Sequence, residues 1–307
     1  MTTAAVKAVE WPTVGLLALT YLVWATGTMV WHDWPLVSLV LTGVAIAQFS
    51  SLQHEALHGH PFRQHILNEA AVFPALALFV PYRRFRDTHL QHHFDPALTD
   101  PYDDPESNYF DPSEWAKLSR PMQVLLRWNN TLAGRMALGP VLGTWRFLQA
   151  EAALVLRGDR RVLAAWLMHL AGLVLVAAWL LSVATMPVWA YGLAVYSALA
   201  LLRIRTFLEH RAHEKYRSRT VVIEDRGPLS LLFLNNNFHV VHHMHPNIPW
   251  YELPALYAER KAHFLRRNDG YVYRNYAQIF RTYLWRAKDP VAHPVWPVRN
   301  TAPSDDT

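Results

Sequence analysis

Residues 13–31 (TVGLLALTYLVWATGTMVW) carry no charged side chain. As a helix, a run of that length crosses about 30 Å of hydrocarbon. A second apolar run, residues 35–53, follows the polar HDWP turn and leads directly into His54. Two more, residues 162–181 and 189–207, are joined by the uncharged SVATMPV turn. The pattern predicts four transmembrane helices. The first run is too long for the apolar core of a signal peptide and has no clear small-residue cleavage site after it, so it is expected to be retained. Residues 66–82 are apolar but short, broken by Pro74 and carrying Asn68 and Glu69. They predict a re-entrant or interfacial hairpin that returns the chain to the side it left. Residues 121–157 mix apolar and basic positions and predict amphipathic helices at the membrane surface.

The intervening segments are polar. Residues 95–112 (DPALTDPYDDPESNYFDP) are acidic and proline-rich, which predicts an ordered loop or lid. Beyond His210 the chain is mostly polar, with the apolar LSLLFL at residues 229–234 packed ahead of a late histidine cluster. The expected fold is an all-α integral membrane protein: about four transmembrane helices, interfacial helices and a cytosolic histidine-rich cap. Residues 1–299 read as a single membrane-embedded domain and residues 300–307 as a disordered tail.

Composition narrows the chemistry. Of 307 residues, 52% are hydrophobic and only 17% charged, apolar-rich for a soluble domain. No cysteine is present, which excludes disulfides, thiolate metal sites and cysteine nucleophiles. The net charge of +5 is spread around the apolar runs without a dense basic stretch, so no nucleic-acid partner is expected. The loops between runs one and two and between runs three and four lack lysine and arginine. Arg83, Arg84, Arg86, Arg157, Arg160, Arg161, Arg203, Arg205, Arg211 and Arg217 all fall on the opposite face. The positive-inside rule then places both termini in the cytoplasm, and the protein in the inner membrane if the cell is prokaryotic.

Histidine is the anomaly, with 17 copies, most of them clustered. His54 and His58 form HxxxH at the end of the second run; a four-residue step turns about 40° round a helix, so both imidazoles point one way. His89, His92 and His93 form HxxHH, confined to an arc of about 100°. His239, His242 and His243 repeat that spacing. By topology all three clusters emerge on the cytoplasmic side. Eight imidazoles exceed what one tetrahedral zinc can use and suit a pair of metals of higher coordination number. Glu55, Asp87, Asp95 and Glu209 are candidate acceptors for the second imidazole N–H, and the run Asn235, Asn236 and Asn237 could orient ligands. His60, His65, His245 and His263 are weaker ligand candidates.

HEALHGH (54–60), HLQHH (89–93) and HVVHH (239–243) resemble the three histidine boxes of the membrane fatty acid desaturase superfamily, in that order and with two spans between the second and third. The resemblance covers roughly residues 40–265. It implies two non-haem iron ions that activate O2 as co-substrate, with the eight box histidines as ligands. It implies a further histidine ligand near the cytoplasmic end of the last span, where His210 stands and His213 competes. It also implies an acyl chain of a lipid or thioester as substrate, drawn from the bilayer, and desaturation as the reaction. Removing hydrogen from an unactivated alkyl chain needs such an oxidant, because no amino-acid side chain supplies one. The electron donor would be a separate protein such as a ferredoxin, since no haem or flavin module is fused and no cysteine can hold an iron–sulfur cluster. Arginines round the boxes could dock an acidic donor.

The same boxes resemble those of lipid hydroxylases and carotenoid hydroxylases or ketolases, which share the first hydrogen abstraction. HEALH is also literally HExxH, the signature of zinc proteases, with Asn268, Asp269 and Gly270 the nearest echo of a third-ligand motif. That reading leaves six clustered histidines without a role. A metal transporter would place its ligands at mid-membrane, which these clusters do not.

Overall fold

A computed structural model describes residues 9–296; the tail expected to be disordered lies outside them. Four of the described helices are long and apolar enough to cross a membrane: α1 (Trp11–Met29), α2 (Pro35–Leu57) and, after five intervening helices, Arg160–Ser182 and Val188–Thr206. Pro12 and Pro35 stand in the first turns of α1 and α2, where the missing N–H costs nothing. The expected second span ended at residue 53, but α2 continues to Leu57, so His54 sits inside the helix and His58 caps it.

Residues 66–82 form no crossing. A short helix, α3 (His65–Ala71), gives way to irregular backbone before α4 (Tyr82–His92). Val72, Ala75 and Leu76 are buried there, so the free carbonyls need partners from the protein. The spans supply them. Tyr21 of α1 donates to the Ala71 carbonyl at 2.9 Å, Tyr191 to that of Leu76 at 2.8 Å, and His169 to that of Leu78 at 2.8 Å.

The acidic segment precedes α5 (Pro112–Lys117). Residues 121–157 form two helices, α6 (Arg120–Asn129) and α7 (Leu132–Leu156), separated where Thr131 caps α7 through the Gly134 N–H at 3.0 Å. α7 packs against the last two spans, α8 (Arg160–Ser182) and α9 (Val188–Thr206). α8 turns Leu167, Leu170, Val174, Leu175 and Leu181 outward, an apolar face of the kind lipid covers. Beyond α9 come β1 (Val222–Ile223), α10 (Pro228–Leu232), α11 (His239–Met244), α12 (Leu253–Arg267), β2 (Val272–Tyr273) and α13 (Tyr276–Tyr283). β1 and β2 pair in parallel, Val222 opposite Val272.

Two apolar cores hold this arrangement. The larger runs between the spans and includes Ile46, Phe49, Tyr191, Phe207 and Phe233. The smaller, with Val222, Phe238, Val240, Val241, Leu253, Tyr257 and Phe264, seats α11. Gly172 marks the tightest approach of α8 to the irregular segment, because a Cβ there would lie 2.6 Å from the Phe73 carbonyl oxygen. Gly172→Ala should therefore displace buried backbone and destabilise the protein by about 1–3 kcal/mol. A lowered thermal unfolding midpoint in detergent checks this; an unchanged midpoint would show that the segment yields freely.

Candidate metal centre

α2, α4, α11 and the chain just beyond α9 bring nine imidazoles to one end of the bundle. They form two groups. His54, His58, His89, His93 and His242 make one, and His92, His210, His239 and His243 the other, with the candidate ligand atoms of each group within 4.8 Å of one another. Neither HxxHH cluster serves a single group. On α4, His89 and His93 go one way and His92 the other; on α11, His239 and His243 go one way and His242 the other. The groups adjoin, with the His93 and His243 rings stacked at 4.2 Å.

The donor atoms fit a cation. His92 Nε2 lies 2.9 Å from His210 Nε2, which is 3.0 Å from His239 Nε2. In the other group His93 Nε2 lies 3.0 Å from His89 Nε2 and 3.1 Å from His242 Nε2. Several of these rings are held with the proton on the far nitrogen. His92 Nδ1 is 2.8 Å from Asp104, His89 Nδ1 is 2.8 Å from Glu106, and His239 Nδ1 is 3.2 Å from the Asn236 side-chain oxygen. His210 Nε2 thus faces the lone pairs of both His92 and His239, and with one proton at most it can satisfy only one of them, whereas a positive ion would satisfy all three. Metal–nitrogen bonds of about 2.1 Å at right angles would put neighbouring nitrogens about 3.0 Å apart, the spacing observed. The Nε2 atoms of His54, His58 and His243 are buried without any hydrogen-bond partner, as ligands awaiting a metal would be.

Electrostatics point the same way. Burial, reinforced by neighbouring imidazoles, holds His58, His93, His210, His239, His242 and His243 well below the ordinary histidine range, in the neutral form a metal requires. Burial also lowers His89, against the pull of Glu106. His92 is the exception: burial is overcome by Glu106 and Asp104, which raise it to about 9, so it must give up a proton to ligate a metal. Glu106 is driven far down despite burial because His92 and His89 face it.

Of the expected imidazole partners, Glu55 lies 3.7 Å from His54 Nδ1 and accepts the Trp250 N–H at 3.2 Å. Asp95 bridges His243, at 3.5 Å, and Arg267, at 2.6 Å. Glu209 reaches His239 only at 3.9 Å and takes a hydrogen bond from Asn236 at 2.7 Å, so Asn236 does orient a box histidine. Asp87 is not a partner. It pairs with Arg86 at 3.0 Å and Arg84 at 3.7 Å. His213 joins neither group and stands 3.4 Å from Asp269; His60 is tied to Glu10 at 2.6 Å. The Asn268 side chain bonds the Thr220 and Tyr271 carbonyls, so the third-ligand echo of the zinc-protease reading does not reach His54 and His58.

Asp104 and Glu106, the two closest carboxylates, were not among the expected partners; they lie in the acidic segment read as a lid. A strap after α13 pins that segment. Phe110 N–H donates to the Val291 carbonyl at 2.9 Å, His293 N–H to the Phe110 carbonyl at 2.8 Å, and the Tyr109 hydroxyl to Asp289. Lys288 Nζ donates to the His210 carbonyl at 2.8 Å, joining strap to centre.

The sequence profile described as fatty acid desaturase matches residues 29–275, which spans both imidazole groups. The chain belongs to the fatty acid desaturase family. Membership makes it an oxidoreductase, and with its four candidate spans it makes it a membrane protein. No curated protein matches the chain.

Proposed function

We propose that the chain is a non-haem di-iron, O2-dependent membrane oxidoreductase that desaturates a fatty acyl chain of a lipid or thioester. One observation carries this reading: two adjoining imidazole groups, of five and four donors, whose ring nitrogens converge. Imidazole alone also suits zinc or copper, so the choice of iron rests on the family. His54, His58, His89, His93 and His242 would hold one ion, and His92, His210, His239 and His243 the other. Bound iron would supply the oxidising power that an alkyl C–H bond demands.

The protein's own share is orientation and protection. Asp104, Glu106 and Asn236 fix the rings so that Nε2 faces inward. The strap ties down the acidic segment that carries Asp104 and Glu106, and five of the eight box histidines, His54, His89, His92, His239 and His242, are buried. The arginine distribution supports a cytoplasmic site, reached by acyl chains from the bilayer and by electrons from a separate ferredoxin-like donor.

Lipid mass spectrometry of cells with and without the gene, beside elemental analysis of the purified protein, tests the reading. The expected result is about two irons per chain and an acyl product that has lost two hydrogens. A product that has gained an oxygen atom would make the reaction a hydroxylation. One zinc and no iron would overturn the proposal.

A further inference from the structure

Three guanidinium groups gather where α7 meets α9, close to the metal centre. Arg203 lies on α9 seven residues before His210. It fills a cleft in α7 opened by two glycines one turn apart: a Cβ at Gly143 would collide with Arg203 Nη2, and one at Gly139 would lie 3.3 Å from its Nε. Arg135 is buried beside it, with Arg203 and Arg146 both among its charged neighbours. Among the described residues none of the three forms an ion pair. The nearby carboxylates are committed elsewhere, Glu209 to Arg205 at 3.2 Å, Glu106 to His89 at 2.8 Å, and Asp289 to Tyr109 and Lys288.

Neutral groups take up part of the charge. Arg135 donates to the Asn129 carbonyl at 2.9 Å, to the Asn130 side chain at 3.1 Å and to the Asn108 side chain. Arg146 lies over the Phe110 ring at 4.9 Å. Arg203 has no hydrogen-bond acceptor among the described residues. Arg135 is buried, Arg203 half-buried and Arg146 exposed; like charges held this close repel unless an anion joins them, and a guanidinium fork matches a carboxylate or phosphate oxygen pair.

We propose that the half-buried Arg203 guanidinium, seated against Gly139 and Gly143, binds the oxyanion head, carboxylate or phosphate, of the acyl substrate and so fixes how far its chain reaches towards the imidazole groups. The inference rests on the acyl-lipid reading above. Arg203 is a specificity-determining residue in this view, and the glycines at 139 and 143 exist to admit its side chain.

Binding measured by native mass spectrometry on the detergent-solubilised full chain tests it, with palmitate, its uncharged methyl ester and phosphatidylglycerol as probes. The wild type should bind one of the anionic probes about tenfold more tightly than the ester. Arg203→Ala should lose that preference, Arg203→Lys should keep part of it, and both should retain wild-type iron content, which separates lost recognition from lost folding. Preference for palmitate assigns a carboxylate head, and preference for phosphatidylglycerol a phosphodiester. Equal binding of all three probes by the wild type, or an undiminished preference in Arg203→Ala, overturns the inference. If the preference holds but the wild type carries no iron and oxidises no acyl chain, the cleft stands and the proposed function fails.

Discussion

His92→Ala is expected to abolish turnover and to lower the iron content from about two to about one per chain. His92 belongs to the smaller group, which falls from four imidazoles to three, while the five-imidazole group stays whole. The substitution also leaves Asp104 without its imidazole partner. His92 lies on α4, outside the candidate spans, so the protein should remain in the membrane fraction. His242→Ala leaves four donors in the larger group; turnover should again vanish, but with less iron lost. Elemental analysis and turnover measured on the same membranes check both variants. Wild-type iron in both would remove these imidazoles from the metal site.

Glu106→Ala is expected to weaken iron retention about 10- to 100-fold, the usual cost of removing a ligand's hydrogen-bonded carboxylate. Glu106 holds His89 Nδ1 at 2.8 Å, while Asp104 does the same for His92 in the other group. Without it His89 is free to turn, and its Nε2 loses the proton arrangement that aims a lone pair inward. Glu106→Gln, which keeps an acceptor oxygen but no charge, should fall between the two. The measurement is iron remaining after incubation with graded concentrations of a chelator. Identical curves for wild type and Glu106→Ala would show that the carboxylate contributes nothing to ligation.

The four spans were legible because long apolar runs, three of them uncharged and the fourth charged only near its end at Arg203 and Arg205, leave a chain few options in water. The end of the second apolar run at about residue 53 is not the end of its helix: hydrogen bonding carries α2 to Leu57, in keeping with the helical offset expected between His54 and His58. Helical arithmetic placed the HxxHH imidazoles on one face but did not reveal that they divide. His92 stands about 100° round the helix from His93, and with two groups side by side that angle suffices to send it to the other. Asp87 illustrates the opposite case. Two residues before His89, it points about 200° away round α4, towards arginine and not towards the imidazoles. Asp104 and Glu106 come from irregular backbone 12 and 17 residues beyond their histidines, where no periodicity reports direction. Of the three arginines at the α7–α9 seam, Arg203 was read only as a charge that sets topology, and Arg135 and Arg146 only as basic positions of the amphipathic stretch 121–157.

The strap has a consequence for the order of events during synthesis. Asp289 meets Tyr109 across 180 residues, so every imidazole has left the ribosome before the tie that steadies Glu106 and Asp104 can form. A nascent chain halted before Val291 presents its nitrogens in a cage with one wall loose. Chains truncated before Val291 should therefore hold the proposed metal pair less firmly than the full chain does.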